Sequence, residues 1–238
     1  QSVTRRTLLW LAAIAVLSVV VAAQVIAQQG RIDGDRAGAA AMPTVVPGTD
    51  VLAGIVLVPS RIRHHDYRRT AYGDAWDDDN GAPGGRNGCD TRNEILDRDL
   101  TDKTYVTTKR CTNAVASGTL RDPYTNSTVA FLRGNQVGAS VQIDHIVPLA
   151  FAWDMGARDW DDVKRKRFAN DPANLLAVAG KANQDKGDLP PGEWMPPNTA
   201  FWCAYSMQFI EVLRGYQLPV DADSARELRS AAAGCPHS

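Results

Sequence analysis

A chain of 238 residues is long enough for one ordinary domain with appended segments. Its composition, 44% hydrophobic and 22% charged, is typical of a protein that folds around a core and excludes a wholly disordered chain. The formal net charge of −1 excludes a global positive field that would attract a polyanion. Any contact with nucleic acid must therefore come from local basic clusters.

The first 27 residues have the pattern of an export segment. Arg5 and Arg6 precede an apolar run from Leu8 to Ala23 in which Ser18 is the one polar residue. This pattern predicts a signal peptide cleaved after Ala23 or Ala27. A retained membrane anchor is the alternative, because the segment approaches the roughly 20 residues that a membrane-spanning helix needs. In both cases the arginines stay inside the cell. We therefore expect a secreted protein, or one held at the outer face of the cytoplasmic membrane by this single hydrophobic helix.

Residues 28–49 are rich in Gly, Ala and Pro and predict a flexible linker, so the domain is expected to cover residues 50–238. Val51–Val58 is apolar and is predicted to be a short helix or strand, which periodicity alone does not decide. The polar segment from His64 to Cys89 is predicted to be a long ordered loop.

The rest of the chain predicts short strands and helices in mixed order. Thr91-Arg92-Asn93-Glu94 is a capping-box pattern, so a helix is expected to begin at Thr91. Strands are predicted at Tyr105–Arg110, Ala114–Leu120, Thr128–Arg133, Val141–Val147 and Asn174–Val178. Helices are predicted at Leu149–Met155, Asp161–Phe168, Ala200–Tyr216 and Asp223–Ala233. An α+β domain is expected.

The chain has four cysteines, an even number in a chain predicted to be exported, which favours disulfides. Proximity along the sequence favours the pairs Cys89–Cys111 and Cys203–Cys235. No Cys-x-x-Cys spacing occurs, which argues against a zinc site or a redox motif.

The most informative pattern is an Asp-His pair followed by two asparagines. Asp144 and His145 stand at the end of an apolar, β-branched run, and Asn174 and Asn183 follow downstream. Hydrolysis of a phosphodiester needs a base of near-neutral pKa to activate water, and a hard cation to neutralise charge. Each of these residues alone is as well explained by a structural role. Together they predict a metal-dependent nuclease site.

The expected roles follow from the side-chain chemistry. Asp144 and Asn183 offer oxygen ligands that suit Mg²⁺ or a similar ion, and His145 is the expected general base. Because neighbours on a regular strand face opposite ways, the strand must end or bulge near His145 for both side chains to serve one site. Asn174 is expected to lock the backbone of the connecting loop.

Basic residues near this pattern are candidates for contact with a nucleic-acid backbone. Lys186 lies one helical turn beyond Asn183, so it is expected either to contact a phosphate or to be a solvated surface lysine. Two further clusters have the composition of backbone-contact patches. They are Lys164-Arg165-Lys166-Arg167 and the group Arg61, Arg63, Arg68 and Arg69.

These motifs resemble those of the HNH (His-Me finger, ββα-metal) nucleases. They are Asp144-His145-Ile146-Val147-Pro148-Leu149, then Asn170-Asp171-Pro172-x-Asn174-Leu175, then Asn183-x-x-Lys186-Gly187-Asp188. The resemblance extends over roughly residues 60 to 235 and is nearest to exported HNH proteins related to the C-terminal nuclease domain of GmrSD-type restriction enzymes. It implies an HNH core with added helices and short strands.

By position, the resemblance implies His145 as general base, Asp144 and Asn183 as metal ligands and Asn174 as loop organiser. Asn183 stands where many family members have His, which favours Mg²⁺ or Mn²⁺ over Zn²⁺. The long insert between His145 and Asn174 departs from minimal members and is expected to add helices in the stretch Trp153 to Phe168.

The leading hypothesis is an exported, metal-dependent endonuclease that cleaves DNA with low sequence specificity, because the chain has no pattern of a separate recognition module. The preference for DNA over RNA comes from the resemblance. An inactive, envelope-associated nucleic-acid-binding protein and a hydrolase of another phosphodiester are the alternatives. A monomer is expected, with membrane contact only through an uncleaved N-terminal segment.

Overall fold

The computed structural model describes residues 42–134 and 140–237. The predicted signal or anchor, residues 1–27, and most of the predicted linker lie outside these ranges. Pro43–Ser238 forms one unit. Within the described ranges, no helix is both long enough and apolar enough to span a bilayer.

The described residues form seven strands and six α-helices in mixed order. The strands are β1 Leu57–Val58, β2 Thr101–Thr108, β3 Cys111–Arg121, β4 Thr128–Leu132, β5 Val141–His145, β6 Leu175–Ala179 and β7 Val220–Asp221. The helices are α1 Thr91–Asp99, α2 Leu149–Asp154, α3 Asp162–Asn170, α4 Gly180–Lys186, α5 Trp202–Tyr216 and α6 Ala222–Ala232. The predicted α+β class is confirmed.

The strands form three small sheets. β2, β3 and β4 make an antiparallel sheet in that order, β5 pairs antiparallel with β6, and β1 pairs parallel with β7. A turn joins β3 to β4, and its Asn126 amide donates to the Asp122 carbonyl at 2.8 Å. Asp122 also accepts from the Ala179 amide at 2.9 Å, which ties this turn to the end of β6.

Helix α1 begins at Thr91 as predicted, but its N-cap is Asp90. The Asp90 carboxylate accepts from the Asn93 amide at 3.0 Å, which satisfies one of the free amides of the first turn. Aspartate is a better N-cap than threonine, so the pattern predicts the start of the helix but not which residue caps it.

Two buried clusters form the core. The helical core includes Ile146, Val147, Phe168, Phe209 and Leu228, and the sheet core includes Leu96, Val115, Val141, Ile143 and Leu175. Strand β5 therefore starts in the sheet core, and the segment after it enters the helical core. Asp144 and His145 lie between these two stretches. This position places two polar side chains at the boundary between the cores.

Both disulfides predicted from sequence proximity are present. Cys89 bonds to Cys111 and Cys203 bonds to Cys235. The first joins the residue before the α1 cap to the start of β3, and the second joins α5 to the chain end that follows α6.

The structure differs from one local prediction and adds one contact between distant segments. The apolar segment Val51–Val58 is mostly turn, with only Leu57 and Val58 in a strand. The Val45 amide donates to the Pro236 carbonyl at 2.9 Å, which joins the segment before residue 50 to the segment after α6. This hydrogen bond and the pairing of β1 with β7 each join segments that are distant in the sequence. Local periodicity carries no information about such pairs.

Candidate functional site

The site is built on an antiparallel strand pair followed directly by a helix. Asp144 pairs with Leu176 and His145 with Leu175 in the β5–β6 register. Helix α4 begins immediately after β6, at Gly180. The predicted strand Val141–Val147 ends at His145, which allows Asp144 and His145 to line the same cavity although they are neighbours.

Asn174 holds the backbone that follows His145. Its side-chain oxygen accepts from the Val147 amide at 2.8 Å, and its side-chain nitrogen donates to the Val147 carbonyl at 3.2 Å. The Asn174 carbonyl also accepts from the Ile146 amide at 2.9 Å. Asn174 is completely buried, so these bonds are closed to water. These bonds hold the backbone of the segment that follows β5.

His145 is buried, and its ring is fixed from two directions. Nε2 lies 2.9 Å from the Ala169 carbonyl, which can only accept, so Nε2 carries the hydrogen and Nδ1 keeps a lone pair. The indole of Trp76 stacks on the imidazole with centroids 5.5 Å apart and planes 9° apart. Burial lowers the pKa of His145 from 6.5 to about 3. The imidazole is therefore neutral, which is the form that accepts a proton.

Asp144 is buried beside a buried cation. Its Oδ2 accepts from Lys186 Nζ at 2.7 Å and from the Tyr124 hydroxyl, whose pKa burial raises well above 10. The other oxygen, Oδ1, accepts no hydrogen bond from any residue in the described ranges. Asp144 also lines the cavity that contains His145, so Oδ1 is the oxygen available to a ligand.

Lys186 is neither solvated nor on the surface of the cavity. Its side chain is 0% exposed, and Nζ donates to Asp144 Oδ2 and, at 2.8 Å, to the His145 carbonyl. The alternative of a solvated surface lysine is therefore wrong, and the ammonium is closed off from a phosphate. Burial lowers the pKa of Lys186, while the Asp144 carboxylate acts in the opposite direction.

Asn183 faces the same cavity from helix α4. Its side-chain nitrogen donates to Gln142 Oε1 at 2.8 Å, so its amide oxygen points away from this bond. That oxygen has no hydrogen-bond donor among the described residues. Gln142 is not singled out by the sequence pattern, although it lies two residues before Asp144 and so shares its face of β5. Its effect is to orient the amide.

Two adjoining cavities meet at His145. The polar cavity, of about 300 Å³, is lined by Tyr67, Arg69, Gln142, Asp144, His145 and Asn183 among others. The aromatic cavity, of about 200 Å³, is lined by Arg69, Tyr72, Ala75, Trp76, His145 and Ala169 among others. Because both contain Arg69 and His145, the imidazole and one guanidinium stand where the cavities join.

The predicted basic clusters are mostly engaged with the protein itself. Four of their members bond to acidic side chains or backbone carbonyls: Arg61, Arg63, Arg165 and Lys166. Lys164 lies over the Trp160 ring at 4.3 Å. The side chain of Arg69, by contrast, is exposed and has no ion-pair partner within the part of the chain that the structure describes. Arg69 is therefore the cation best placed to meet an anion at this site.

The donor set suits a hard cation that keeps most of its water. Among the described residues, no group of three His, Cys, Asp or Glu side chains could hold a metal. Asp144 Oδ1 and the Asn183 amide oxygen are two oxygen donors on one cavity wall, which fits Mg²⁺ bound through few protein ligands. They do not fit Zn²⁺, which favours nitrogen and sulfur and usually takes three or four protein ligands.

Known proteins similar to this chain match the segment that contains the site. A secreted protein of Arthroderma benhamiae, itself described as uncharacterized, is 38% identical over 144 residues. The aligned segment is 60% of this chain and 66% of that protein. No solved structure matches the chain. The family model of the C-terminal domain of GmrSD restriction endonucleases matches residues 90–231, a segment that contains Asp144, His145, Asn174 and Asn183. The chain therefore belongs to the family of GmrSD restriction endonuclease C-terminal domains.

Proposed function

We propose that the protein is an exported, divalent-metal-dependent endonuclease of the HNH type that hydrolyses DNA with low sequence specificity. The observation that carries this proposal is the convergence of Asp144, His145 and Asn183 on one cavity, each with a lone pair that no described residue uses. Membership of a restriction endonuclease domain family supports nuclease activity. The β5–β6–α4 order supports the HNH type.

Asp144 Oδ1 and the Asn183 amide oxygen would hold one cation, Mg²⁺ or Mn²⁺. Such an ion neutralises charge on the phosphate and on the leaving oxygen. Gln142 orients the Asn183 amide through its 2.8 Å bond, and Lys186 holds the Asp144 carboxylate through Oδ2. Neither bond uses Asp144 Oδ1 or the Asn183 amide oxygen, so both oxygens are available to the cation. Lys186 thus acts as a positioning residue rather than a phosphate contact.

His145 is the proposed general base. Nδ1 accepts a proton from the attacking water, while the bond from Nε2 to the Ala169 carbonyl holds the ring and its tautomer. The low pKa of about 3 belongs to the protein without a bound anion. A phosphate beside the ring stabilises the imidazolium and raises this pKa, so base strength increases when substrate binds.

Arg69 is the proposed phosphate contact, because its exposed guanidinium lines both cavities beside His145. Contact with the phosphate carries no sequence information, which supports low specificity. Location outside the cytoplasm is supported by the predicted N-terminal export segment, by two disulfides and by the secreted relative. We also propose a monomer, with membrane contact only through an uncleaved N-terminal segment.

The proposal is tested by incubating the purified protein with supercoiled plasmid, linear duplex DNA and RNA, with Mg²⁺ and with EDTA. We expect nicking that requires Mg²⁺ and that falls by at least about 100-fold in His145→Ala, which lacks the base. His65→Ala, in an exposed loop, is the matched control and should cleave normally. Cleavage that persists in EDTA, or in His145→Ala, would contradict the proposal, and cleavage of RNA alone would contradict its substrate.

A further inference from the structure

The loop before α1 carries a tryptophan that covers the proposed base. Trp76 is partly buried, and its ring is parallel to that of His145. Its φ of +60° lies in the left-handed region, which a bulky side chain adopts only at a cost of roughly 1 kcal/mol or more. The contacts around the loop must therefore compensate for this unfavourable conformation.

Those contacts come from the start of α1 and from Arg110. The Trp76 carbonyl accepts from the Thr91 amide at 3.3 Å and from Arg110 Nη2 at 3.1 Å. The Ala75 carbonyl accepts from the same Arg110 nitrogen at 3.0 Å. One guanidinium thus holds two consecutive peptide groups of the loop.

Arg110 is itself fixed beside a disulfide. The Asp90 amide donates to the Arg110 carbonyl at 3.1 Å, and the Asp90 carboxylate lies 3.3 Å from Arg110 Nε. Cys89 and Cys111 are the next residues along the two chain segments, and they are covalently joined. The disulfide therefore joins the two chain segments that hold Arg110. Arg110 in turn holds the Trp76 loop.

A general base works only when its lone pair points at the water. The bond from Nε2 to the Ala169 carbonyl fixes one direction in the plane of the His145 ring, but rotation about that direction would swing Nδ1 away. A flat ring stacked at 9° removes this remaining freedom. Misplacement of a reacting group by about 1 Å can cost roughly 100-fold in rate.

We propose that Trp76 is a positioning residue that fixes the plane of the His145 imidazole, and that the Cys89–Cys111 disulfide keeps Trp76 in place through Arg110. The expected effect of this positioning on turnover rests on the proposed function. Reduction of this disulfide then slows the chemical step while the rest of the domain stays folded.

A pair of variants separates positioning from packing, because Trp76 also packs against the sheet core. Trp76→Phe keeps a flat ring, and Trp76→Leu keeps apolar volume without one. We expect Trp76→Leu to lower kcat for plasmid nicking by roughly tenfold or more with KM unchanged, and Trp76→Phe to restore most of the rate. Equal kcat values for the two variants, at equal melting temperatures, would overturn the proposal.

The experiment on the Cys89–Cys111 disulfide uses the Cys203–Cys235 disulfide as its control. The double variant Cys89→Ser, Cys111→Ser should lose kcat as Trp76→Leu does, whereas Cys203→Ser, Cys235→Ser should not. Arg110→Gln, an exposed substitution that leaves the bridge intact, tests the same link if the serine variant does not fold. Normal kcat in Arg110→Gln would remove the link between the disulfide and Trp76.

A readout independent of turnover separates this proposal from the proposed function. The rate at which diethyl pyrocarbonate modifies His145, measured by peptide mapping, should be greater in Trp76→Leu and in Arg110→Gln than in Trp76→Phe and the wild-type protein. If no nucleic acid is cleaved but this order holds, the proposed function fails and the positioning of His145 stands. Equal modification rates in all four proteins would overturn the positioning role, whatever the activity.

Discussion

Lys186 and Asp144 form a buried ion pair inside the proposed site, with side chains 0% and 6% exposed. A buried pair contributes little net stability as a whole, but the loss of one partner leaves an uncompensated charge in a medium that solvates it poorly. The stability of the fold with a buried Asp144 carboxylate therefore depends on Lys186, and substitution of Lys186 measures this dependence.

We predict that Lys186→Met lowers the free energy of unfolding by about 3–5 kcal/mol, because the Asp144 carboxylate stays buried without its ammonium. Lys181→Met is the matched control on the same helix, since Lys181 pairs with Asp185 at the surface and should cost less than about 1 kcal/mol. Urea unfolding of the two variants measures the difference. Similar values for both would show that Asp144 does not depend on Lys186.

The buried imidazole predicts a dependence of stability on pH. The pKa of His145 is 6.5 in its ordinary state and about 3 in the fold. Between these values the unfolded chain binds a proton that the folded protein does not. The free energy of unfolding should therefore decrease as pH falls from 6.5 towards 3, by at most about 1.4 kcal/mol per pH unit from this residue.

The measurement compares wild-type protein with His145→Gln by urea unfolding across this range, in EDTA so that no cation alters the site. The stability of the wild-type protein relative to the variant should be greatest above pH 6.5 and should shrink as the solution becomes acidic. Parallel stability curves for the two proteins would mean that the imidazole is not buried in its neutral form.

Single residues differ in how far the sequence reveals them. Asp144, His145, Asn174 and Asn183 can be selected from the chain because their types and spacing match one chemistry. Their partners cannot, since Tyr124 reaches Asp144 over 20 positions and Gln142 reaches Asn183 over 41. A buried lysine is equally hidden, because residue type alone predicts exposure for lysine.

At the scale of elements, the segment after β5 depends on one side chain. From a fully buried position, Asn174 bonds to both the backbone amide and the backbone carbonyl of Val147. Without it, a buried amide and a buried carbonyl lose their partners, each at a cost of about 1–3 kcal/mol. The direction in which His145 leaves the strand depends on the same bonds.

We predict that Asn174→Ala destabilises the domain by roughly 2 kcal/mol or more and lowers kcat by roughly tenfold or more, because the base is misplaced as well. Leu228→Ala in α6 is the control: it removes a buried side chain that lines neither cavity, at a cost of about 2–5 kcal/mol. Its kcat, measured where both variants are folded, should stay near that of wild-type protein. Equal losses of kcat would assign Asn174 a role in stability alone.

The sequence predicts an element well where a local pattern determines it. The start of α1 follows from its capping pattern, and both disulfides follow from short separations of 22 and 32 residues. The pairing of the two-residue strands β1 and β7 is beyond prediction from local patterns, because it joins segments that are far apart in the sequence. The same reason hides the contact of the Val45 segment with the chain end.

For the whole molecule, the family membership bears on the kind of activity, and the net charge of −1 bears on how a nucleic acid would be attracted. The family indicates a nuclease, while the weak overall charge requires that attraction of DNA be local. The structure narrows the set of basic side chains that are free to contact DNA. Most of the predicted basic residues bond within the protein, whereas Arg69 has no ion-pair partner among the described residues. Sequence composition could not make this distinction, which depends on where acidic side chains fall in space.

The proposed site requires that Asp144 on β5 and Asn183 on α4 hold one cation beside a base that does not bind it. Titration of Mn²⁺ followed by electron paramagnetic resonance tests this most directly, in the wild-type protein, Asp144→Asn, Asn183→Ala and His145→Ala. We predict one site in wild-type protein, nearly the same affinity in His145→Ala, and an affinity at least about tenfold weaker in the two ligand variants. Absence of a site in the wild-type protein, or an unchanged affinity in both ligand variants, would contradict the proposed cation site.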